Sequence, residues 1–253
     1  MSGHSKWANI KHKKAKADAE KGKIFTKVAR EIIVAARQGG GDPEANFKLR
    51  MAIEKARSVN MSNDSIMRAI KRGAGASGED QNYEQLSYEG YGPGGVAIML
   101  DVLTDNKNRS ASDIRHIFAR HGGNLGESGC VAWLFDRVGV ISIDLASSGK
   151  TEDELMAHAI EAGALDLKVE DGIAEITTQP DDLNEVCEYL KRNGIPFDKA
   201  EITMVPKTTV RTTGKEAQQV LALVEDLEDH DDVSKVYANF DIPDEEMEQL
   251  AGA

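Results

Sequence analysis

The hydrophobic positions between residues 23 and 73 predict three short helices. In the first helix, apolar side chains recur at the i, i+3, i+4 and i+7 spacing of an amphipathic helix: Phe25, Val28, Ala29, Ile32, Ile33 and Ala36. We expect Asp42 to cap the second helix, with Pro43 at its first position. Ser62 is expected to cap the third helix, which Gly73 ends. The N-terminal region is therefore predicted to be a small helical domain.

Beyond a glycine-rich linker at residues 73–80, strands and helices alternate, and residues 138–205 form the clearest unit. Their pattern is β-α-β-β-α-β, the order of a ferredoxin-like sandwich. The first helix of this unit begins with a T-x-x-E capping box at Thr151 and Glu154. Two strands meet at an Asp171-Gly172 turn. The second helix has four apolar side chains on one face: Leu183, Val186, Cys187 and Leu190.

The flanking segments, residues 81–137 and 206–241, predict a second α/β domain that the first one interrupts. A buried strand, "GGVAIMLDVL", precedes a helix and the strand "GCVAWLFDR", and a later helix begins with a T-x-x-E box at Thr213 and Glu216. The expected fold class is α+β, with an N-terminal three-helix domain and two ferredoxin-like α/β domains, one inserted in the other. The predicted domains are residues 1–80, 81–137 with 206–241, and 138–205, followed by a frayed acidic tail at 242–253.

Charge is divided unevenly between these regions. Residues 1–72 carry 17 Lys/Arg and 7 Asp/Glu, a net charge of +10, whereas residues 73–253 carry 14 and 36, a net charge of −22. Such a split is typical of a polyanion-binding module joined to other domains. The chain has no apolar run of about 20 residues and no secretory signal pattern. We therefore expect a cytoplasmic protein without membrane contact.

The stretch "GHSKWANIKHKKAKAD" is a basic arm ahead of the first helix. Lysine and arginine neutralise phosphates, which supplies most of the sequence-independent affinity for nucleic acids. The candidate nucleic-acid-binding residues are Lys6, Trp7, Lys11, His12, Lys13, Lys14, Lys16, Lys21, Lys23, Lys27, Arg30, Arg68, Lys71 and Arg72. A solvated tail is the alternative for the lysines. Trp7 either stacks on an unpaired base or anchors the arm on the protein, and the sequence leaves both alternatives open.

No residue pattern in the chain indicates catalysis. The histidines lack clustered carboxylates or cysteines, and the two cysteines are expected to be reduced thiols, a disulfide being the alternative. The glycine-rich residues 89–96 lack the Lys-Ser/Thr of a phosphate loop and are interpreted as a tight turn. Residues 105–109, "DNKNR", are interpreted as a helix entry capped by Ser110. We therefore expect no enzyme activity, catalytic residue, metal or cofactor.

Several dense motifs resemble the YebC/PmpR family. They are "GHSKWANIKHKKAKAD", "KGKIFTKVAREI", "GGGDPEANFKLRMAI", "RAIKRGAG", "YEGYGPGGVAIMLDVLTDNKNR" and "GGNLGESGCVAWLF". The resemblance is dense to about residue 140 and continues more loosely to "KVYANFDIP". It implies a helical N-terminal domain, two α/β domains and a DNA-binding transcriptional regulator without a cofactor. The wider group is linked to translation, as ribosome-associated factors or as activators of mitochondrial protein synthesis.

Three hypotheses follow for the function of the chain. The first is a nucleic-acid-binding regulator of gene expression, specifically a DNA-binding transcriptional regulator. The alternative within it is a ribosome- or RNA-associated translation factor, because the turns between the helices are expected to be too long or too glycine-rich for a helix-turn-helix motif. A protein-interaction adaptor that binds no nucleic acid is the third. The expected partner is thus DNA or ribosomal RNA, with the ribosome as a further candidate, and the oligomeric state is left open.

Overall fold

The computed structural model describes residues 3, 6, 7, 18–75 and 83–252. It divides into two compact units. One consists of Phe135–Lys207 and is called the inserted unit. The other, the host unit, consists of the described residues within Ser2–Leu134 and Thr208–Ala253. The predicted α+β fold class is confirmed, whereas the predicted limits of the domains stay a prediction.

The three predicted N-terminal helices are present in the host unit. They are α1 (Asp18–Gly39), α2 (Phe47–Ser58) and α3 (Asn63–Gly73). Both α2 and α3 pack on α1 around a core to which each helix contributes, including Ile32, Leu49 and Ile70. Gly73 ends α3 where it approaches α1 closely, since an added Cβ would lie 2.3 Å from the carbonyl oxygen of Ile33. A side chain at position 73 would therefore separate the two helices.

The cap of α2 differs from the prediction. Asn46, not Asp42, caps the helix by accepting a hydrogen bond from the Leu49 amide at 3.1 Å. The Asn46 side-chain amide also donates to the Ala35 carbonyl at 2.8 Å and the Gly40 carbonyl at 2.9 Å. Because one buried side chain satisfies groups at both helix ends, it fixes the end of α1 against the start of α2. Asp42 instead accepts from the Glu44 amide in the preceding turn, at 3.0 Å.

An antiparallel sheet and two helices form the α/β part of the host unit. Its strands are β1 (Glu84–Tyr91), β2 (Ala97–Thr104), β3 (Asn124–Leu125) and β9 (Val233–Ala238), in the order β3-β1-β2-β9. Helices α4 (Lys107–Arg120) and α8 (Gly214–Asp229) share one hydrophobic core with this sheet. A further parallel pair joins β8 (Val210–Arg211) to β10 (Phe240–Asp241).

Several sequence predictions for the host unit are wrong. Strand β1 is missing from the elements that the sequence predicts, because it has few apolar residues. The predicted strand "GCVAWLFDR" is instead a 3₁₀ turn, Ala132–Leu134, followed by a strand of the inserted unit. Thr213 precedes α8 without a side-chain capping bond, so the second T-x-x-E box is not formed. The tail forms helix α9 (Asp244–Gly252), in which Met247 is buried, so it is not frayed as expected.

The inserted unit has the predicted ferredoxin-like order. Its elements are β4 (Phe135–Asp144), α5 (Leu145–Ser148), α6 (Glu152–Glu161), β5 (Asp166–Glu170), β6 (Ile173–Thr178), α7 (Leu183–Arg192) and β7 (Lys199–Pro206). The antiparallel sheet has the order β5-β6-β4-β7, so β5 and β7 are its edges. The capping box of Thr151 and Glu154 is confirmed. Asp171 (φ 52°) and Gly172 (φ 79°) form the predicted turn, whose positive φ angles explain the Asp-Gly pair.

Candidate nucleic-acid interface

The start of the basic arm is attached to the α/β part of the host unit. Trp7 is 5% exposed and belongs to the same hydrophobic core as Phe240 and Met247. An added Cβ on Gly3 would lie 2.3 Å from the Phe240 carbonyl oxygen, and Lys6 Nζ lies 3.2 Å from Asp244 Oδ1. A buried indole offers no face to a base. The structure therefore matches the anchoring alternative for Trp7 and not the stacking one.

The central cations of the arm are a separate case from Trp7. Lys11, His12, Lys13, Lys14 and Lys16 lie outside the described residues, as does the side chain of Lys21. Trp7 and Asp18 are the described residues that flank this stretch. The prediction that these cations contact nucleic acid therefore stays a prediction.

The basic face of α1 contacts acidic residues of the same unit. Lys23 Nζ lies 3.4 Å from Asp229 Oδ2, and the Lys27 ammonium group donates to the backbone carbonyl of Glu228. Arg30 Nη1 donates to the Asp231 carbonyl at 2.6 Å. Burial lowers the pKa of Lys27 to about 8, against the opposing effect of the nearby acidic groups. Lys23, Lys27 and Arg30 thus hold α1 on residues 228–232.

Asp232 is the centre of this junction. Its side chain is 3% exposed and accepts hydrogen bonds from Ser110 Oγ at 2.7 Å, Arg109 Nη2 at 2.9 Å, Arg30 Nη1 at 3.0 Å and Thr104 Oγ1 at 3.2 Å. Burial alone would raise the pKa of Asp232. The hydrogen bonds from Arg109 and Ser110 and the charges of Arg109 and Arg30 hold it below its ordinary value. The carboxylate is therefore ionised and joins three elements.

This junction also explains the "DNKNR" stretch. Asn106 caps α4 by accepting from the Arg109 amide at 3.1 Å, so the predicted Ser110 cap is wrong. Ser110 is instead buried, with its hydroxyl between Asp232 and Thr104. Sequence reasoning missed Asp232 because its partners Arg30 and Arg109 are far away along the chain.

Helix α3 presents a polar and basic face to solvent. Arg68 and Lys71 are exposed, whereas Arg72 is half-buried, and Ile66, Ala69 and Ile70 form the opposite, buried face. Arg68 also donates to its own helix, from Nε to the Asp64 carbonyl at 3.3 Å. The predicted cluster at the end of α3 is therefore present, with Arg68 and Lys71 as its accessible members.

The turn between α2 and α3 is shorter than expected. It consists of residues 59–62, contains no glycine, and includes Asn60 in the left-handed region at φ 62°. Four residues is the length found in helix-turn-helix motifs. The expectation that every interhelical turn is too long or too glycine-rich for such a motif is therefore wrong for this turn.

A second tryptophan, which no sequence pattern marked as a candidate, is the exposed one. Trp133 is 65% exposed, and its Nε1 donates to the Cys130 carbonyl at 3.1 Å. The preceding loop is held by Glu89, whose buried carboxylate accepts from the backbone amides of Gly129 (2.7 Å), Val131 (2.8 Å) and Ala132 (2.8 Å). Burial would raise the pKa of Glu89, but these three hydrogen bonds lower it below its ordinary value. The loop thus holds a largely exposed indole.

Two family descriptions match nearly the whole chain. Residues 5–76 match the "TACO1/YebC protein N-terminal domain", and residues 83–240 match the "TACO1/YebC second and third domain". The chain belongs to the TACO1/YebC family.

Relatives of this family are similar over their full length. A "Probable transcriptional regulatory protein" of Natranaerobius thermophilus is 58% identical over 249 residues, covering 98% of this chain and 99% of the relative. One of the same name from Dictyoglomus turgidum is 56% identical over 251 residues, covering 99% and 100%. The crystal structure of the "Conserved Hypothetical Protein Aq1575 from Aquifex Aeolicus" is 49% identical, with a TM-score of 0.81, covering 90% of this chain and 93% of the other.

The described residues offer no sign of a metal or membrane site. Within residues 3, 6, 7, 18–75 and 83–252, no three His, Cys, Asp or Glu side chains are grouped as metal ligands. None of the helices in that part of the chain is long and apolar enough to cross a bilayer. Cys130 and Cys187, both among the described residues, are not joined by a disulfide. Arg68, Lys71 and Trp133 are accessible side chains of the host unit from which a binding surface can be built.

Proposed function

We propose that this protein regulates gene expression by binding nucleic acid through its N-terminal region, and that it is not an enzyme. The observation that carries the proposal is the exposed basic face of α3, which follows a four-residue turn in the most basic part of an acidic chain. The names of the relatives as transcriptional regulators support the same function. The repulsion expected from the acidic remainder confines the contact to the N-terminal region.

Duplex DNA is the target that the helical domain favours. Asn63, Met67 and Lys71 recur at i, i+4 and i+8 on the exposed face of α3, beside Arg68. Arginine and asparagine side chains read base edges in the major groove, and both arginine and lysine neutralise phosphates. Helix α3 therefore has the position in the chain and the exposed side chains of a recognition helix.

The contact surface differs from the fourteen residues that the sequence suggested. We assign phosphate contacts to Arg68, Lys71 and the arm cations at positions 11, 13, 14 and 16. Lys23, Lys27 and Arg30 of α1 are assigned to the junction with residues 228–232, because they already contact carboxylates and carbonyls there. Trp7 is assigned to the attachment of the arm to the host core.

An RNA-associated function in translation is the second candidate, and Trp133 is the observation that favours it. Its indole is largely exposed and hydrogen-bonded through Nε1 to the Cys130 carbonyl, and stacking on an aromatic side chain requires an unpaired base. Duplex DNA offers no such base. The two candidates therefore use different parts of the protein.

Crosslinking in cells, followed by sequencing of the attached nucleic acid, separates these candidates. The first predicts DNA fragments whose recovery falls strongly in an Arg68→Ala/Lys71→Ala variant and remains in a Trp133→Ala variant. The second predicts RNA fragments whose recovery falls strongly in the Trp133→Ala variant and remains in the Arg68→Ala/Lys71→Ala variant. A control at exposed cations of the inserted unit, Lys168→Ala/Arg192→Ala, should change neither. Recovery of no nucleic acid from the wild-type protein would contradict both candidates and favour the adaptor.

A further inference from the structure

The inserted unit exposes three large apolar side chains on one side. Ile160 is 72% exposed, Leu165 54% and Met156 37%. Together with Ala159, Ala164 and Leu167 they line a cavity of about 110 Å³ between α6 and β5. A dry apolar cavity of about 150 Å³ holds benzene, so this space has room for one aliphatic side chain. We call these residues the α6–β5 groove.

Acidic side chains accompany this groove. Glu152 lies one and two helical turns before Met156 and Ile160 on the same face of α6, and Asp153 is its exposed neighbour. Asp166 lines the cavity at the start of β5. Lys168 is the nearby cation on that strand, and its ammonium group lies 3.5 Å from Asp166. The whole inserted unit carries 16 acidic and 7 basic side chains, a net charge of −9. The field around the groove therefore attracts cations and repels phosphates.

The neighbouring sheet edge makes addition of a strand unfavourable. Strand β5 is an edge of its sheet but has only five residues, and its Asp166 and Lys168 side chains are exposed. Short, charged edge strands disfavour pairing with another strand. An apolar groove beside a helix instead fits an amphipathic helix that inserts one anchor side chain.

We propose that the α6–β5 groove is a docking site for a basic amphipathic helix of a partner protein, which inserts an aliphatic side chain between Met156, Ile160 and Leu165. The charge complementarity with Glu152 and Asp153 selects a basic partner and orients it along α6. The groove excludes nucleic acid by the same charge. This inference is independent of the proposed nucleic-acid contact, which uses the host unit.

The test uses the full-length protein and three synthetic helical peptides of equal length. Binding of each peptide is measured from the NMR chemical shifts of the protein's backbone amides. A Lys/Leu amphipathic peptide is expected to shift the amides of Met156, Ile160 and Leu165. A Lys/Ser peptide of the same charge and a Glu/Leu peptide of opposite charge are expected to shift them far less. Replacement Ile160→Ser should weaken binding of the Lys/Leu peptide about tenfold, because it removes the central apolar side chain of the groove. The control Val205→Ser, at an exposed valine of β7, should not.

Three results would overturn the proposal. Equal binding of the Lys/Ser peptide would mean that charge alone acts, and unchanged binding to Ile160→Ser would place the peptide elsewhere. A concentration-dependent dimer that Ile160→Ser abolishes, measured by sedimentation equilibrium, would assign the groove to a second copy of this chain. Melting curves check that Ile160→Ser is folded, and Leu165→Ser provides the second variant, for which the same loss of peptide binding is expected.

Discussion

Arg30 on α1 donates to Asp232, just before β9, with Nη1 3.0 Å from Oδ1. The two residues are 202 positions apart, and the carboxylate is deeply buried. Asp232 also accepts from Arg109 and Ser110 of α4. One ionised carboxylate therefore joins the three-helix bundle to the α/β part of the host unit. Arg30, which the sequence suggests as a phosphate contact, is instead part of the contact between these two parts of the fold.

Replacing Asp232 by Ala should destabilise the protein by about 3 kcal/mol or more, because the guanidinium groups of Arg30 and Arg109 lose their buried carboxylate partner. Urea denaturation measures the change. The matched control is Asp229→Ala, whose partner Lys23 forms an exposed ion pair and should cost no more than about 1 kcal/mol. Equal losses of stability in the two variants would contradict the central place of Asp232.

The same carboxylate gives a pH dependence at low pH. Because the pKa of Asp232 is lowered in the folded protein, its contribution to stability is present above the pKa of an unfolded aspartate and is lost as the pH falls through the pKa of the folded state.

Lys27 gives a second pH dependence, at high pH. Its pKa is about 8 in the folded protein and 10.5 when exposed. Between these values the unfolded chain binds more protons than the folded one, so the free energy of unfolding should gain a rising contribution as the pH increases from about 8 to 10.5. The variant Lys27→Met should remove this contribution, whereas Lys71→Met, at an exposed position, should keep it. Urea midpoints at several pH values measure the difference, and identical profiles for Lys27→Met and the wild type would contradict the burial of Lys27.

The two tryptophans should differ in fluorescence. In a Trp133→Phe variant, the remaining Trp7 should emit at short wavelength and resist quenching by iodide, because it is 5% exposed. In a Trp7→Phe variant, the remaining Trp133 should emit at longer wavelength and be quenched readily. Strong quenching of Trp7 in the folded protein would show that the arm is not anchored in the host core.

Glu89 should control the loop that carries Trp133. Glu89→Gln weakens three hydrogen bonds to backbone amides, so we expect a loss of about 1–3 kcal/mol and faster hydrogen exchange at Gly129, Val131 and Ala132. Hydrogen exchange is measured by NMR. The control Glu127→Gln, at an exposed position, should leave exchange at the three amides unchanged. The lowered pKa of Glu89 predicts that its stabilisation is lost as the pH falls through the folded value. Unchanged exchange at the three amides would contradict the assignment.

Local patterns in the sequence were sufficient for the elements whose signals are local. Each of these elements depends on residues that are only a few positions apart in the chain. They are the capping box of Thr151 and Glu154, the Asp171-Gly172 turn and the apolar faces of α1 and α7, and the structure contains all of them. The fold class follows from the order of such elements.

Long-range contacts could not be predicted in the same way. Trp7 is an isolated aromatic residue in a polar stretch, and nothing near it indicates the core that it enters. Arg30 and Asp232 are separated by most of the chain, and β1 is a strand because β2 and β3 pair with it rather than because of its own alternation. The tertiary partners of a cation decide whether it is available to a ligand. For this reason Lys23, Lys27 and Arg30 belong to an internal junction rather than to the candidate nucleic-acid interface.

The most direct test of nucleic-acid binding is the dependence of affinity on salt. Fluorescence anisotropy with a labelled DNA duplex, repeated over a range of salt concentrations, gives the slope of log K against log[salt]. We expect the magnitude of this slope to decrease by about 0.9 for each phosphate that is no longer neutralised, and so by about 3 to 4 in a Lys11→Ala/Lys13→Ala/Lys14→Ala/Lys16→Ala variant and by up to about 2 in Arg68→Ala/Lys71→Ala. The control Lys168→Ala/Arg192→Ala should keep the wild-type slope. Wild-type slopes in both N-terminal variants would contradict the assignment of nucleic-acid binding to the arm and α3.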